Sequence, residues 1–212
     1  MDGLIGQLGQ EIVFSADQLF FCLSGMFDSF DFDGNRVFRN TVVTPYHDDS
    51  PQPAVHSSGV SYVEWWSTLQ SYDADGNFLW TAVDEPFGVT IRTPDVGPDG
   101  TIYIARGFDM YALRANGSQK WSRFTYPDGY SSSIVSPDGN TIVVSGGGQG
   151  PSFFRALRAT NGAELWNFDL PTFTTTQALS QGRARFSADG SVVYVMAAID
   201  SSTSYIYALQ VN

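Results

Sequence analysis

Positive charge is scarce in this chain. Lys120 is the only lysine, and 11 basic residues stand against 22 acidic ones, giving a formal net charge of −11 over 212 residues. A nucleic-acid binder needs clustered cations to displace counterions from phosphates, so that class is excluded. Cysteine is scarcer still. Cys22 stands alone in the apolar run Leu19-Phe20-Phe21-Cys22-Leu23, which rules out an intrachain disulfide and reads as a buried thiol behaving as a small hydrophobe. Two histidines, His47 and His56, leave little material for a metal centre. No apolar run approaches the roughly 18 residues that a membrane-spanning helix needs. The opening Met1-Asp2-Gly3-Leu4-Ile5-Gly6 has neither the basic start nor the apolar stretch of a signal peptide. Charged residues make up only 16% of the chain.

Aromatic residues are abundant at 15%, with 42% hydrophobic residues and 21 glycines. That balance fits a β-rich protein with many tight turns. Two markers recur along it in one phase. In the first, a turn is followed by a large aromatic four residues after its glycine: Asp33-Gly34 with Phe38, Asp75-Gly76 with Trp80, Asn116-Gly117 with Trp121, and Asn161-Gly162 with Trp166. Such dipeptides predict two-residue hairpins of type I′, whose central positions need positive φ. The second marker is another turn, seen at Ser15-Ala16-Asp17, Ser57-Ser58-Gly59, Pro98-Asp99-Gly100, Pro137-Asp138-Gly139 and Ala188-Asp189-Gly190. A β-branched or aromatic run follows each, such as Thr101-Ile102-Tyr103-Ile104-Ala105 and Val192-Val193-Tyr194-Val195-Met196. No helical period bounded by caps is found.

A repeat of about 41 residues holding four short strands is the blade of a β-propeller. The fold class predicted is therefore all-β, a propeller of about five four-stranded antiparallel blades, either a compact ring or part of a larger propeller. The blades fall at residues 11–52, 53–91, 92–130, 131–181 and 182–212. The fifth lacks its last strand, and residues 1–10 are the candidate to complete it, since Asp2-Gly3 is the dipeptide due next. A lone blade cannot bury both of its faces, so neighbouring blades must pack face to face. Phe38, Trp80, Trp121 and Trp166 are the predicted packing residues between blades.

The segment Ala156-Leu157-Arg158-Ala159-Thr160-Asn161-Gly162-Ala163-Glu164-Leu165-Trp166 resembles the tryptophan-docking repeat of the PQQ-like, or quinoprotein-type, propeller family, Ala-x-Asp-x-x-Thr-Gly-x-x-x-Trp. Tyr111 to Trp121 is a shorter version, Tyr205 to Leu209 begins another, and Gln70 to Trp80 and Phe30 to Phe38 are weaker copies. Asp31 and Asp73 match the pattern's aspartate, while Arg114 and Arg158 depart from it. The dehydrogenases of this family hold their quinone over a vicinal disulfide and use calcium. A single cysteine cannot form that disulfide, and no quinone or calcium ligands match. The resemblance therefore implies a non-enzymatic member without PQQ or another cofactor, of the kind that includes the outer-membrane assembly lipoprotein and acts as an interaction platform. Asp73-Ala74-Asp75-Gly76-Asn77 begins like a calcium loop but lacks its later spacing and bidentate glutamate, so calcium has no support.

In a propeller, the loops between second and third strands and those between blades share one face, and ligands bind there. That face collects Tyr46, His47, Asp48, Asp49, Trp65, Trp66, Arg106, Phe108, Asp109 and Tyr126. Consecutive residues point apart, so His47-Asp48-Asp49 is a poor ligand set and no metal site is expected. The leading expectation is a non-catalytic scaffold binding a protein or peptide through this face, in a secreted, periplasmic or cell-surface setting. A carbohydrate-binding propeller is the alternative that the loop aromatics support. A glycosidase or lyase is a third, which would need two carboxylates to converge from Asp48, Asp49, Asp84, Glu85 and Asp109.

Overall fold

The computed structural model describes residues 12–23, 25–41, 53–65, 68–82, 94–106, 108–124, 130–146, 153–170, 184–198 and 204–211. They form five antiparallel sheets and, among the described residues, no helix. The predicted all-β class and four-stranded repeat are observed. The first sheet contains β1 (Val13–Phe14), β2 (Gln18–Leu23), β3 (Met26–Asp31) and β4 (Arg36–Thr41), and the second β5 (Pro53–Val55), β6 (Ser61–Trp65), β7 (Thr68–Tyr72) and β8 (Phe78–Ala82). The third holds β9 (Asp95–Val96), β10 (Ile102–Arg106), β11 (Asp109–Leu113) and β12 (Gln119–Phe124). The fourth holds β13 (Tyr130–Val135), β14 (Thr141–Gly146), β15 (Phe153–Arg158) and β16 (Glu164–Asp169). The fifth has three strands, β17 (Arg185–Phe186), β18 (Val192–Ala198) and β19 (Ser204–Gln210). Within each sheet the strands follow one another in chain order, as hairpins joined by short turns require.

The chain divides into two compact units, Met1–Pro86 and Phe87–Asn212. In the first unit, Phe20, Cys22, Phe27 and Phe38 of the first sheet close a core with Val63 and Tyr72 of the second. In the second unit the fourth sheet is covered on both faces. Ile142, Val144, Phe153 and Leu157 pack against Tyr103, Met110 and Ala112 of the third sheet. Val143, Phe154 and Ala156, with the opposite parity, pack against Val193, Val195 and Val211 of the fifth-sheet region. This two-sided burial explains why β14 reads Thr-Ile-Val-Val-Ser-Gly, buried at every position, instead of alternating apolar and polar residues.

The hairpins differ from the predicted type I′ form. In the Asp31 to Asn35 turn, Gly34 N donates to Asp31 O at 3.1 Å and Asp31 N to Asn35 O at 2.9 Å. The central pair is thus Phe32-Asp33, and Gly34 follows with φ of 86°. This is a three-residue loop with a bulge, which shifts the β3–β4 register between Ser29 and Phe30. Asp73 to Asn77 repeats it. The aspartate of the repeat pattern has a plain structural role here. Asp31 accepts from Asn35 N at 2.7 Å and from Asn35 Nδ2 at 2.9 Å, and Asp73 does the same with Asn77 at 2.8 and 3.0 Å. At the third hairpin Arg114, which replaces that aspartate, donates from Nη1 to Gln119 O at 2.6 Å.

Candidate functional site

The recurrent aromatics occupy equivalent places in the four four-stranded sheets. Each pairs across its hairpin with a small residue: Phe38 with Ser29, Trp80 with Ser71, Trp121 with Ala112, and Trp166 with Ala156. All four small residues are 0% exposed, so the ring takes the space that their short side chains leave. Phe38, Trp121 and Trp166 then reach the next sheet of the same unit. A Cβ built on Gly76 would collide with Phe38 Cγ, and one on Gly162 would lie 2.8 Å from Trp121 Cζ3. Only glycine lets these rings lie against the hairpin backbone. Trp121 Nε1 donates to Ala159 O at 2.9 Å, and two residues further on Arg123 Nε donates to Asn161 O at 3.1 Å. Asn40, two residues beyond Phe38, donates in the same manner to Gly76 O at 2.8 Å. Trp166 packs into the core between the fourth and fifth sheets. Trp80 lies 5.9 Å from Tyr62 of its own sheet.

With the hairpins of the first-to-second and third-to-fourth strands at one end of each sheet, the opposite end carries the loop face. Of the residues expected there, Tyr46, His47, Asp48, Asp49, Asp84, Glu85, Trp66 and Tyr126 lie outside the described residues. Trp65 is the last residue of β6. The third sheet shows what this end presents. Arg106 ends β10 and Asp109 begins β11, forming the last pair of that ladder. Asp109 pairs on its other side with Phe124, the last residue of β12. Phe108 and Phe124 meet edge to face with centroids 6.4 Å apart. Both rings are open to solvent, at 50% and 70% exposure. Phe124 was missed in the sequence because it sits in a strand and not a loop. Its signal was its place three residues past Trp121, where the fourth strand reaches the loop face.

Two solvent-exposed phenylalanine rings thus lean on each other at this end of the third sheet, with Arg106 and Asp109 as the neighbouring pair of the ladder. The described acids are arranged otherwise. Asp31, Asp73, Asp138 and Asp189 are all held below the usual carboxylate range by turn hydrogen bonds. For Asp189 the Ser187 hydroxyl and the Ser191 amide lower it to about 2. These carboxylates stabilise the hairpin end opposite the loop face. No cluster of three or more His, Cys, Asp or Glu able to hold a metal is found among the described residues. The one cysteine of the sequence, Cys22, is buried, and burial, with Asp28 nearby, pushes the thiol up to about 12.

Among the described residues no helix is long and apolar enough to cross a membrane. A search of curated proteins finds no match. Solved structures do match in fold. Hydrazine synthase of Kuenenia stuttgartiensis aligns with a TM-score of 0.73 at 16% identity, over 99% of this chain and 67% of that one. BamB from Moraxella catarrhalis aligns at 0.68 and 14%, over 88% of this chain and 57% of its own. A chain of a mitotic checkpoint complex aligns at 0.68 and 12%, over 94% and 61%. The present chain thus spans roughly three-fifths of these proteins. The family model described as outer membrane protein assembly factor BamB matches residues 66–209, well over half of the chain. The chain belongs to this BamB family of PQQ-like β-propellers.

Proposed function

We propose that this protein is a non-catalytic propeller scaffold that binds a protein or peptide partner through the loop face. The observation that carries the reading is the exposed edge-to-face pair Phe108–Phe124, with Arg106 and Asp109 beside it. Its geometry suits an interface hot spot, in which a rigid aromatic anchor is ringed by polar groups. Membership of a family described as an outer membrane protein assembly factor supports a protein partner and a site of action outside the cytoplasm. The net charge of −11 favours a partner with a basic contact surface.

The test is a displayed peptide library selected against the intact protein and against a Phe108→Ser/Phe124→Ser variant. Both residues are exposed, so the variant should keep its fold. Selected sequences should bind the parent and lose at least about tenfold in affinity for the variant. Sequences that bind both equally would contradict a role for this pair. Specific retention of one sugar on a glycan array, lost in the same variant, would contradict the choice of ligand class.

A further inference from the structure

The sequence holds two Asn-Gly dipeptides, Asn116-Gly117 and Asn161-Gly162, at the same place in the hairpins that lead into β12 and β16. Asparagine before glycine is open to one spontaneous reaction, because no Cβ on the glycine hinders the approach of its backbone nitrogen to the asparagine carboxamide. In both hairpins the glycine amide is engaged alike, Gly117 N donating to Arg114 O at 2.8 Å and Gly162 N to Arg158 O at 2.7 Å. That bond does not distinguish the two sites. Their surroundings do.

At Asn116 the carboxamide oxygen Oδ1 accepts from Ser118 N at 3.0 Å and from Ser118 Oγ at 2.7 Å. The Arg114 guanidinium stands behind that hydroxyl, with Nη1 3.5 Å from Ser118 Oγ, and is held there by Gln119 O at 2.6 Å. Two donors, backed by a cation, thus converge on the atom that gains negative charge when a nucleophile adds to the carboxamide carbon, as in an oxyanion hole. Asn116 and Ser118 are exposed and Gly117 is half-buried, so water reaches the site. At Asn161 the residue two positions on is Ala163, which supplies its backbone N–H at 3.0 Å and has no hydroxyl to add. Asn161 O is tied to Arg123 Nε at 3.1 Å, and Gly162 is buried beneath the Trp121 ring and the Arg123 stem. The backbone rotation that carries a glycine nitrogen onto the carboxamide has no room in that packed contact.

We propose that Asn116 is a self-modification site, deamidated by its own hairpin, and that the docked tryptophan protects Asn161 from the same reaction. The Gly117 nitrogen gives its proton to solvent and bonds to Asn116 Cγ, while Ser118 donates to the oxygen that becomes negative. The Cγ–Nδ2 bond then breaks and ammonia leaves, closing a five-membered succinimide. Water opens that ring at either carbonyl and leaves an aspartyl or an isoaspartyl link at position 116. Water is the only co-reactant. The product places a new carboxylate beside the Arg114 guanidinium. Its isoaspartyl form also inserts a methylene into the backbone of a turn that Arg114 N closes onto Ser118 O at 2.8 Å, which loosens the hairpin. This hairpin lies at the end of the sheet opposite the loop face, so the site does not depend on the Phe108–Phe124 pair.

The test incubates the full chain in warm, mildly alkaline buffer and follows the peptides containing Asn116 and Asn161 by mass spectrometry. An isoaspartyl-specific carboxyl methyltransferase counts the isoaspartyl product. In the folded protein Asn116 should convert at least about tenfold faster than Asn161, the ratio set by one oxyanion donor and a blocked rotation. Ser118→Ala removes the hydroxyl and keeps the backbone donor; it should slow Asn116 by about tenfold and leave Asn161 unchanged. Ser118 is exposed, so the variant should keep its fold, which circular dichroism checks. In strong denaturant neither hairpin persists, and the two rates should converge. Equal rates in the folded protein would overturn the proposal. So would an Asn116 rate indifferent to Ser118→Ala, or a rate ratio that survives denaturation undiminished.

Discussion

Replacing Gly162 by alanine probes the docking of one sheet on the next. Gly162 has φ of +69°, and an added Cβ would lie 2.7 Å from Arg123 Cγ and 2.8 Å from Trp121 Cζ3. The left-handed backbone alone costs an L-residue roughly 1–2 kcal/mol. Displacing the indole strains a packed contact by about 1–2 kcal/mol. It also weakens the hydrogen bond to Ala159 O, which contributes about 1 kcal/mol. The expected loss is roughly 3–5 kcal/mol by the same reckoning. Gly100, in the same unit, is the control. Its φ is +77°, yet an added Cβ meets only Ala115 Cβ at 3.8 Å, an ordinary contact. Gly100→Ala should therefore cost only the backbone portion, about 1–2 kcal/mol. Urea unfolding followed by tryptophan fluorescence should place the two midpoints about 1 M or more apart at ordinary denaturant sensitivity. Equal midpoints would refute the claim that Trp121 rests on this hairpin.

Two further outcomes follow from the ionisable groups. Asp189 is lowered to about 2, first by the Ser187 hydroxyl, which donates at 2.6 Å, and then by Ser191. Its folded value lies below an unfolded one of about 3.9, so its stabilising effect is complete above that value and lost as pH falls through about 2. The stability gap between the parent protein and Asp189→Ala, measured by denaturant titration, should close between pH 4 and 2; a gap unchanged at pH 2 would count against the turn hydrogen bonds. Cys22 is buried with its thiol pushed up to about 12, so a disulfide reagent at pH 8 should label it only after unfolding. Rapid labelling of the native protein would contradict its place in the first unit's core.

The sheets were legible because two local signals shared one phase. Glycines at 34, 76, 117 and 162 each precede a ring by four residues. That spacing survives because the ring must return over the small residue across the hairpin, at Ser29, Ser71, Ala112 or Ala156. The turn type was less legible. A dipeptide such as Asp33-Gly34 does not reveal the loop length, and only the bonds to Asp31 show the glycine following the turn centre. The candidate site was legible in part. Arg106, Phe108 and Asp109 fall at the second-to-third-strand turn that the repeat marks, the first and last of them as the strand ends. Phe124 became visible only once the edge-to-face contact with Phe108 was seen. The buried Asp28 was also unforeseen. It accepts from Arg39 at 2.8 and 3.0 Å with Arg36 at 3.4 Å, and nothing in the repeat pattern asks for a carboxylate there.

A solution measurement of the Trp121 indole against the Gly162 hairpin examines the stacking of blades most directly. Strong nuclear Overhauser contacts between the indole ring and the Gly162 α-protons are predicted, together with an indole N–H exchanging slowly through its bond to Ala159. An indole N–H that exchanges at the rate of a free side chain, with no contact to Gly162, would contradict it.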